Sequence, residues 1–190
     1  MSRRRGFSIA ILVAGMILAT SAEGVLGADA RAQHYRHRAD AAIRYIGANS
    51  ELGTYRAPGR WIGSRVRNST ATGQTISDTL AGAAPKDAEY VYQLKIRNPG
   101  AARRFTIAVS GTGTWPVAYF VRGRDVTSAI VSGEYRTPVL DRGETFVVRI
   151  TASLGRPGTS LTRLIRVSSA AHPRSRDAVR LRIEYDRCGC

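Results

Sequence analysis

Apolar residues recur at every second position in five stretches of the second half of the chain. Tyr90, Tyr92, Leu94 and Ile96 form one set, and Phe105, Ile107 and Val109 a second. Trp115, Val117, Tyr119 and Val121 follow, then Phe146, Val148 and Ile150, then Val179, Leu181, Ile183 and Tyr185. Side chains alternate across a β-strand, so each set builds one apolar and one polar face. Half-buried antiparallel strands stacked in two layers satisfy that pattern. Weaker signals predict strands at Trp61-Ile62 with Val66, at Gln74 to Ile76 and at Leu161 to Ser168. Turn chemistry separates the runs at Gly82 to Asp87, Asn98-Pro99-Gly100, Gly111-Thr112-Gly113, Arg142-Gly143, Gly155 to Gly158 and His172-Pro173. Residues 123–140 read as a longer connection.

The fold class that follows is all-β, an antiparallel sandwich of seven or eight strands with immunoglobulin-like spacing of its turns. It spans residues 55–187 and leaves a Cys-Gly-Cys tail at 188–190. Residues 31–54 read as a lead and linker. In that segment Ala32, Ala39, Ala41, Ala42, Ile43 and Ile46 sit among Arg, His and Asp, with no Gly or Pro until Gly47, which predicts a short α-helix over 31–50.

The first 30 residues read as a hydrophobic helix that directs export. Arg3, Arg4 and Arg5 precede an apolar run from Phe7 to Ala19, and Ala28-Asp29-Ala30 matches a signal cleavage site. Thr20-Ser21-Ala22 offers a second site. The run is shorter than the roughly 20 residues that span a bilayer, although an uncleaved signal anchor stays open. Gly6-Phe7-Ser8 behind the arginines also resembles the start of a type IV pilin or pseudopilin, which would place one long helix over residues 7–50. That family carries a glutamate where this chain has Ile11. The expected location is secreted or attached to the cell envelope.

Charge adds a class of partner. The chain holds 29 Lys and Arg against 14 Asp and Glu, a formal +15, and Arg outnumbers Lys 27 to 2. Such a balance favours anionic polymers of a cell wall, or another surface protein, as partners. The arginines are spread along the strands instead of gathered in a basic arm, so specific nucleic-acid binding is not expected. A membrane contact is expected only through the N-terminal segment, if uncleaved.

Several short pieces occur in an order that resembles one module type. Gly73-Gln74-Thr75 is followed by Tyr92-x-Leu94-x-Ile96-x-Asn98-x-Gly100 and by Trp115-x-Val117-x-Tyr119. Asp125-Val126-Thr127, Gly133-x-Tyr135-x-Thr137-Pro138-x-Leu140-x-x-Gly143 and Asp177-Ala178-Val179 complete the series. Together, over residues 60–185, they are similar to immunoglobulin-like modules of secreted and surface proteins of bacteria. The resemblance implies a non-catalytic sandwich with a structural, spacer or adhesive role, and it carries no catalytic residue.

Catalytic and cofactor signatures are missing from the sequence: it has no G-x-S-x-G, no H-E-x-x-H, no P-loop and no dinucleotide fingerprint. No enzyme activity, cofactor or metal is expected. His34 and His37 would share a face of a helix, with His172 the sole further histidine, and a solvated surface explains them best. Cys188 and Cys190 admit a strained disulfide, bridges to another chain, or half of a metal site. Asn68-Ser69-Thr70 matches a glycosylation acceptor. A carbohydrate-binding sandwich is a further alternative, with Tyr55, Trp61 and Phe120 as its candidate aromatics.

Overall fold

The computed structural model describes residues 39–49, 59–66, 70–71, 74–80 and 88–186. Two five-stranded sheets lie face to face. The first runs β1 (Asp40–Asn49), β3 (Glu89–Arg97), β8 (Thr145–Ser153), β5 (Val117–Val121) and β6 (Arg124–Asp125). The second runs β2 (Thr75–Leu80), β10 (Arg176–Tyr185), β9 (Ser160–Ser169), β4 (Phe105–Thr112) and β7 (Tyr135–Arg136). Neighbours pair antiparallel except β2, which lies parallel to β10 at the edge of the second sheet.

The alternating residues do what their spacing demands. Tyr92, Leu94, Ile96, Val148 and Ile150 of the first sheet meet Phe105, Ile107, Leu161, Ile165, Leu181 and Ile183 of the second, and all are fully buried. Burying each side chain of this size contributes about 1.5–3 kcal/mol against leaving it wet. Trp115 and Tyr119 join the core, and the Trp115 indole Nε1 donates to Thr159 Oγ1 at 2.7 Å. Pro116 falls just before β5, where its missing N–H leaves the ladder intact. Gly111 and Gly113 do more than turn the chain. Gly111 lies inside β4 with φ of +149°, and a Cβ there would come within 2.0 Å of the Thr162 carbonyl oxygen of β9.

The structure corrects the lead segment. Within the helix expected over 31–50, residues 40–49 form a strand, so the described sandwich includes a strand ahead of Tyr55; residues 1–38, with the export segment and its cleavage sites, lie outside the described set. Both periods fit this stretch, since Ala41, Ile43 and Tyr45 also alternate with Ala42 and Arg44. Pairing with β3 along its whole length, with a bulge between Tyr45 and Gly47, overrides the helix-forming alanines. Trp61-Ile62 is not a strand of its own; Ile62 makes a single bridge to Ile43. The connection at 123–140 holds β6, a short helix α1 (Thr127–Val131) and β7. The described residues thus hold eight longer strands and the two-residue strands β6 and β7. Among the described residues no helix is long and apolar enough to cross a membrane.

Candidate binding faces

A two-layer sandwich hides its apolar faces and leaves two outer faces, two sides and two ends for function. On the second sheet the outward positions of β10 are Arg176, Ala178, Arg180, Arg182 and Glu184, of which Ala178 is fully covered. Those of β9 are Ser160, Thr162, Leu164, Arg166 and Ser168, and those of β4 are Thr106, Ala108, Ser110 and Thr112. Register brings them into rows: Arg176, Ser168, Thr106 and Arg136 in one, Ala178, Arg166 and Ala108 in the next, then Arg180, Leu164 and Ser110. Five arginines thus share a flat face with one carboxylate.

The partners of these arginines matter more than their number. Arg182 pairs with Glu184, the one ion pair among the described residues. Arg166 Nη1 donates to Ser110 Oγ at 2.9 Å, and Arg180 Nη2 to the Thr70 carbonyl at 3.3 Å. Those acceptors are neutral and carry no countercharge. A guanidinium has five donors in a planar fork that suits bidentate contacts to carboxylate or phosphate. Spread over alternate positions of separate strands, these residues give no run in the sequence. Their shared face becomes legible only once the β9–β10 register is known.

The outer face of the first sheet differs. Arg44 Nε and Nη2 donate to Gln93 Oε1 at 3.2 and 2.8 Å. The Arg44 Cζ and the Lys95 Nζ lie 4.5 and 4.4 Å from the centre of the half-buried Trp61 ring. Cation–π contact of this kind contributes about 0.5–1 kcal/mol at an exposed site. It occupies the ring a sugar would stack on. Phe120 is half-buried on β5, next to Arg149 in register, away from Trp61. The described aromatics therefore make no open row; Tyr55 lies outside the described residues.

At one side of the sandwich the short edges β6 and β7 flank a groove of about 1010 Å³. Val121, Val126, Ala129, Val131 and Tyr135 line it with Arg124, Asp125 and Glu134. Asp125 accepts from the Thr127 backbone N–H at 2.8 Å, and its bonds with Thr127 hold its carboxyl below the usual range. The ionised, bonded carboxylate is a turn element. Burial raises Tyr135, with Arg122 and Arg124 opposing the rise. No nucleophile–base pair is formed there by the lining residues.

Two buried polar devices tie the layers together. Asp177 Oδ2 accepts from the Ala41 N–H of β1 at 2.7 Å, while Oδ1 accepts from Gln74 Nε2 at 3.1 Å and from the Ala178 N–H at 3.0 Å. Gln74 Nε2 also reaches the Val66 carbonyl at 2.8 Å. This clasp joins β1 of one sheet to β10 of the other. Nearby, the Tyr92 hydroxyl donates to Asp78 Oδ2 at 2.7 Å across the layers. Burial, then the Asp78 charge and hydrogen bond, raise the Tyr92 phenol well above its ordinary value.

Other sequence candidates are placed as follows. Asn98 accepts from the Gly100 N–H and donates to the Ala101 and Leu140 carbonyls, fixing the turn expected there. Gly143 adopts φ of +87°, the conformation its turn requires. His172 is exposed in the turn before β10. His34, His37, Asn68, Ser69, Cys188 and Cys190 lie outside the described residues. Among the described residues no three His, Cys, Asp or Glu side chains come together as a metal site would need.

No protein-family model matches the chain, and no curated protein matches it. Solved structures do show distant likeness. The N-terminal domain of PorA is 13% identical, with a TM-score of 0.40, covering 78% of this chain and 99% of that one. The CooA pilin subunit from enterotoxigenic Escherichia coli is 8% identical at a TM-score of 0.34, covering 75% and 99%. PapD-like domain 7 of human CEP192 is 13% identical at 0.33, covering 60% and 82%. At these values the likeness carries no functional argument.

Proposed function

We propose that this chain is an exported, non-catalytic β-sandwich module of the cell envelope, of immunoglobulin-like character, which adheres through the outer face of its second sheet. The observation that supports the reading is the set of arginines on β7, β9 and β10, four of which form no ion pair among the described residues. Charge of one sign on a flat surface attracts an extended partner of the other sign.

Retention on the envelope tests the reading. Cells expressing the full chain are washed at rising salt, and the protein released is measured beside a variant with Arg136, Arg166, Arg176 and Arg180 changed to Ser. The variant is expected in the first wash and the wild type in later, saltier ones. Equal retention of the two refutes the proposal.

A further inference from the structure

We infer that the partner of this arginine face is a linear phosphodiester polymer without aromatic bases. The inference rests on the adhesive reading above and names its ligand class. The composition of the face carries it. Apart from the arginines, the outward positions of β4, β9 and β2 are mostly hydroxyls: Thr106, Ser110, Thr112, Ser160, Thr162, Ser168, Thr75, Ser77 and Thr79. Arginine with serine and threonine is the side-chain set that contacts phosphate oxygens.

Spacing agrees. Arg166 sits opposite Ala178, hence diagonal to both Arg176 and Arg180. Diagonal neighbours on a sheet stand about 7–8 Å apart, so the three form a zigzag that a flexible chain of regularly placed charges can follow. Each guanidinium then takes a phosphate in a bidentate grip, with the hydroxyls donating between them.

The same face argues against other polyanions. It presents no aromatic ring at its outward positions, so bases or sugar rings have nothing to stack on. Its flat sheet offers no helix or two-stranded ribbon to enter a duplex groove. Leu164 is its one large apolar side chain, half-buried, so it has no apolar face to sink into a bilayer.

The probe is immobilised poly(glycerol phosphate), titrated with the full chain at several salt concentrations. Neutralising four phosphates along a single strand gives a slope of log K against log salt of about −3, roughly a 50-fold loss between 50 and 200 mM. Changing Arg136, Arg166, Arg176 and Arg180 to Ser is expected to abolish the binding, while Arg97→Ser with Arg149→Ser on the opposite sheet leaves the slope unchanged. A variant with Lys at the same four positions keeps the slope and binds more weakly. Unfolding curves verify that each variant folds. Equal losses from the two faces overturn the inference, as does tighter binding of polygalacturonate, oligo-dT or phosphatidylglycerol vesicles at matched salt. If the Ser variant leaves the envelope early yet wild type ignores poly(glycerol phosphate), the ligand class falls and the adhesive reading stands. Retention unaffected by the substitutions sinks the adhesive reading itself.

Discussion

Removing one oxygen from the core should change stability with opposite sign at neutral and alkaline pH. The Tyr92 hydroxyl is buried in the first sheet and donates to Asp78 of the second at 2.7 Å. Tyr92→Phe keeps the ring, which packs edge-on against Tyr45 at a centroid distance of 5.4 Å. It deletes a hydrogen bond to a charged acceptor, which costs about 1.5 kcal/mol at pH 7. The phenol, however, is held protonated by burial and by Asp78 in the fold, whereas in the unfolded chain it ionises from its ordinary value of 10.0 upward. A raised folded-state pKa stabilises fully below the unfolded value and is lost as pH climbs past it. Each pH unit above that point stabilises the unfolded wild type by about 1.4 kcal/mol, a term the Phe variant lacks. The other tyrosines are common to both proteins and cancel in the difference. Urea unfolding of both from pH 7 to 11.5 should therefore show wild type ahead by about 1.5 kcal/mol up to pH 9, equality near pH 11, and the variant ahead by about 0.5 kcal/mol at pH 11.5. A difference that stays constant across this range would refute the buried, protonated phenol, and equal stability at pH 7 would refute the inter-layer bond.

Other consequences follow from the same packing. Tyr119 is the contrasting case: its buried hydroxyl finds no partner among the described residues, and burial pushes it up to about 12. Tyr119→Phe should leave stability at pH 7 unchanged or raise it by up to about 1 kcal/mol, read by urea midpoint. Asp177→Ala strips the acceptor from two backbone N–H groups and the Gln74 amide. It should cost about 3 kcal/mol and raise amide exchange along β1 before β3. Gly111→Ala forces a Cβ against the β9 backbone. It should lower the thermal midpoint more than Gly123→Ala, whose Cβ meets nothing within 4 Å although φ is positive there too.

Which features were legible in the sequence has a physical explanation. Leu94, Val148 and Leu181 are all fully buried, because a period of two admits only one inward face once a strand has formed. Local turn chemistry was equally readable: Asn98 and Gly143 act within a few residues of themselves. The lead strand was not. Asp40 to Asn49 satisfies a helical stripe and a strand alternation alike, and what decides between them is β3 and Asp177, at 136 residues' separation in the case of the Ala41–Asp177 bond. The parallel placement of β2 is likewise set by β10, far along the chain. The arginine face escaped for a related reason. Each arginine occupies an ordinary solvent-facing position of its own strand, and only the pairing of β10 with β9 and of β4 with β7 gathers them.

The central claim, that one outer face and not the other meets the partner, is tested most directly by following arginine Nε–H resonances during titration with poly(glycerol phosphate). Shifts at Arg166, Arg176 and Arg180, with Arg44, Arg97 and Arg149 unmoved, are the predicted result. Shifts of equal size on both sheets, or confined to the sheet that carries Trp61, would contradict it.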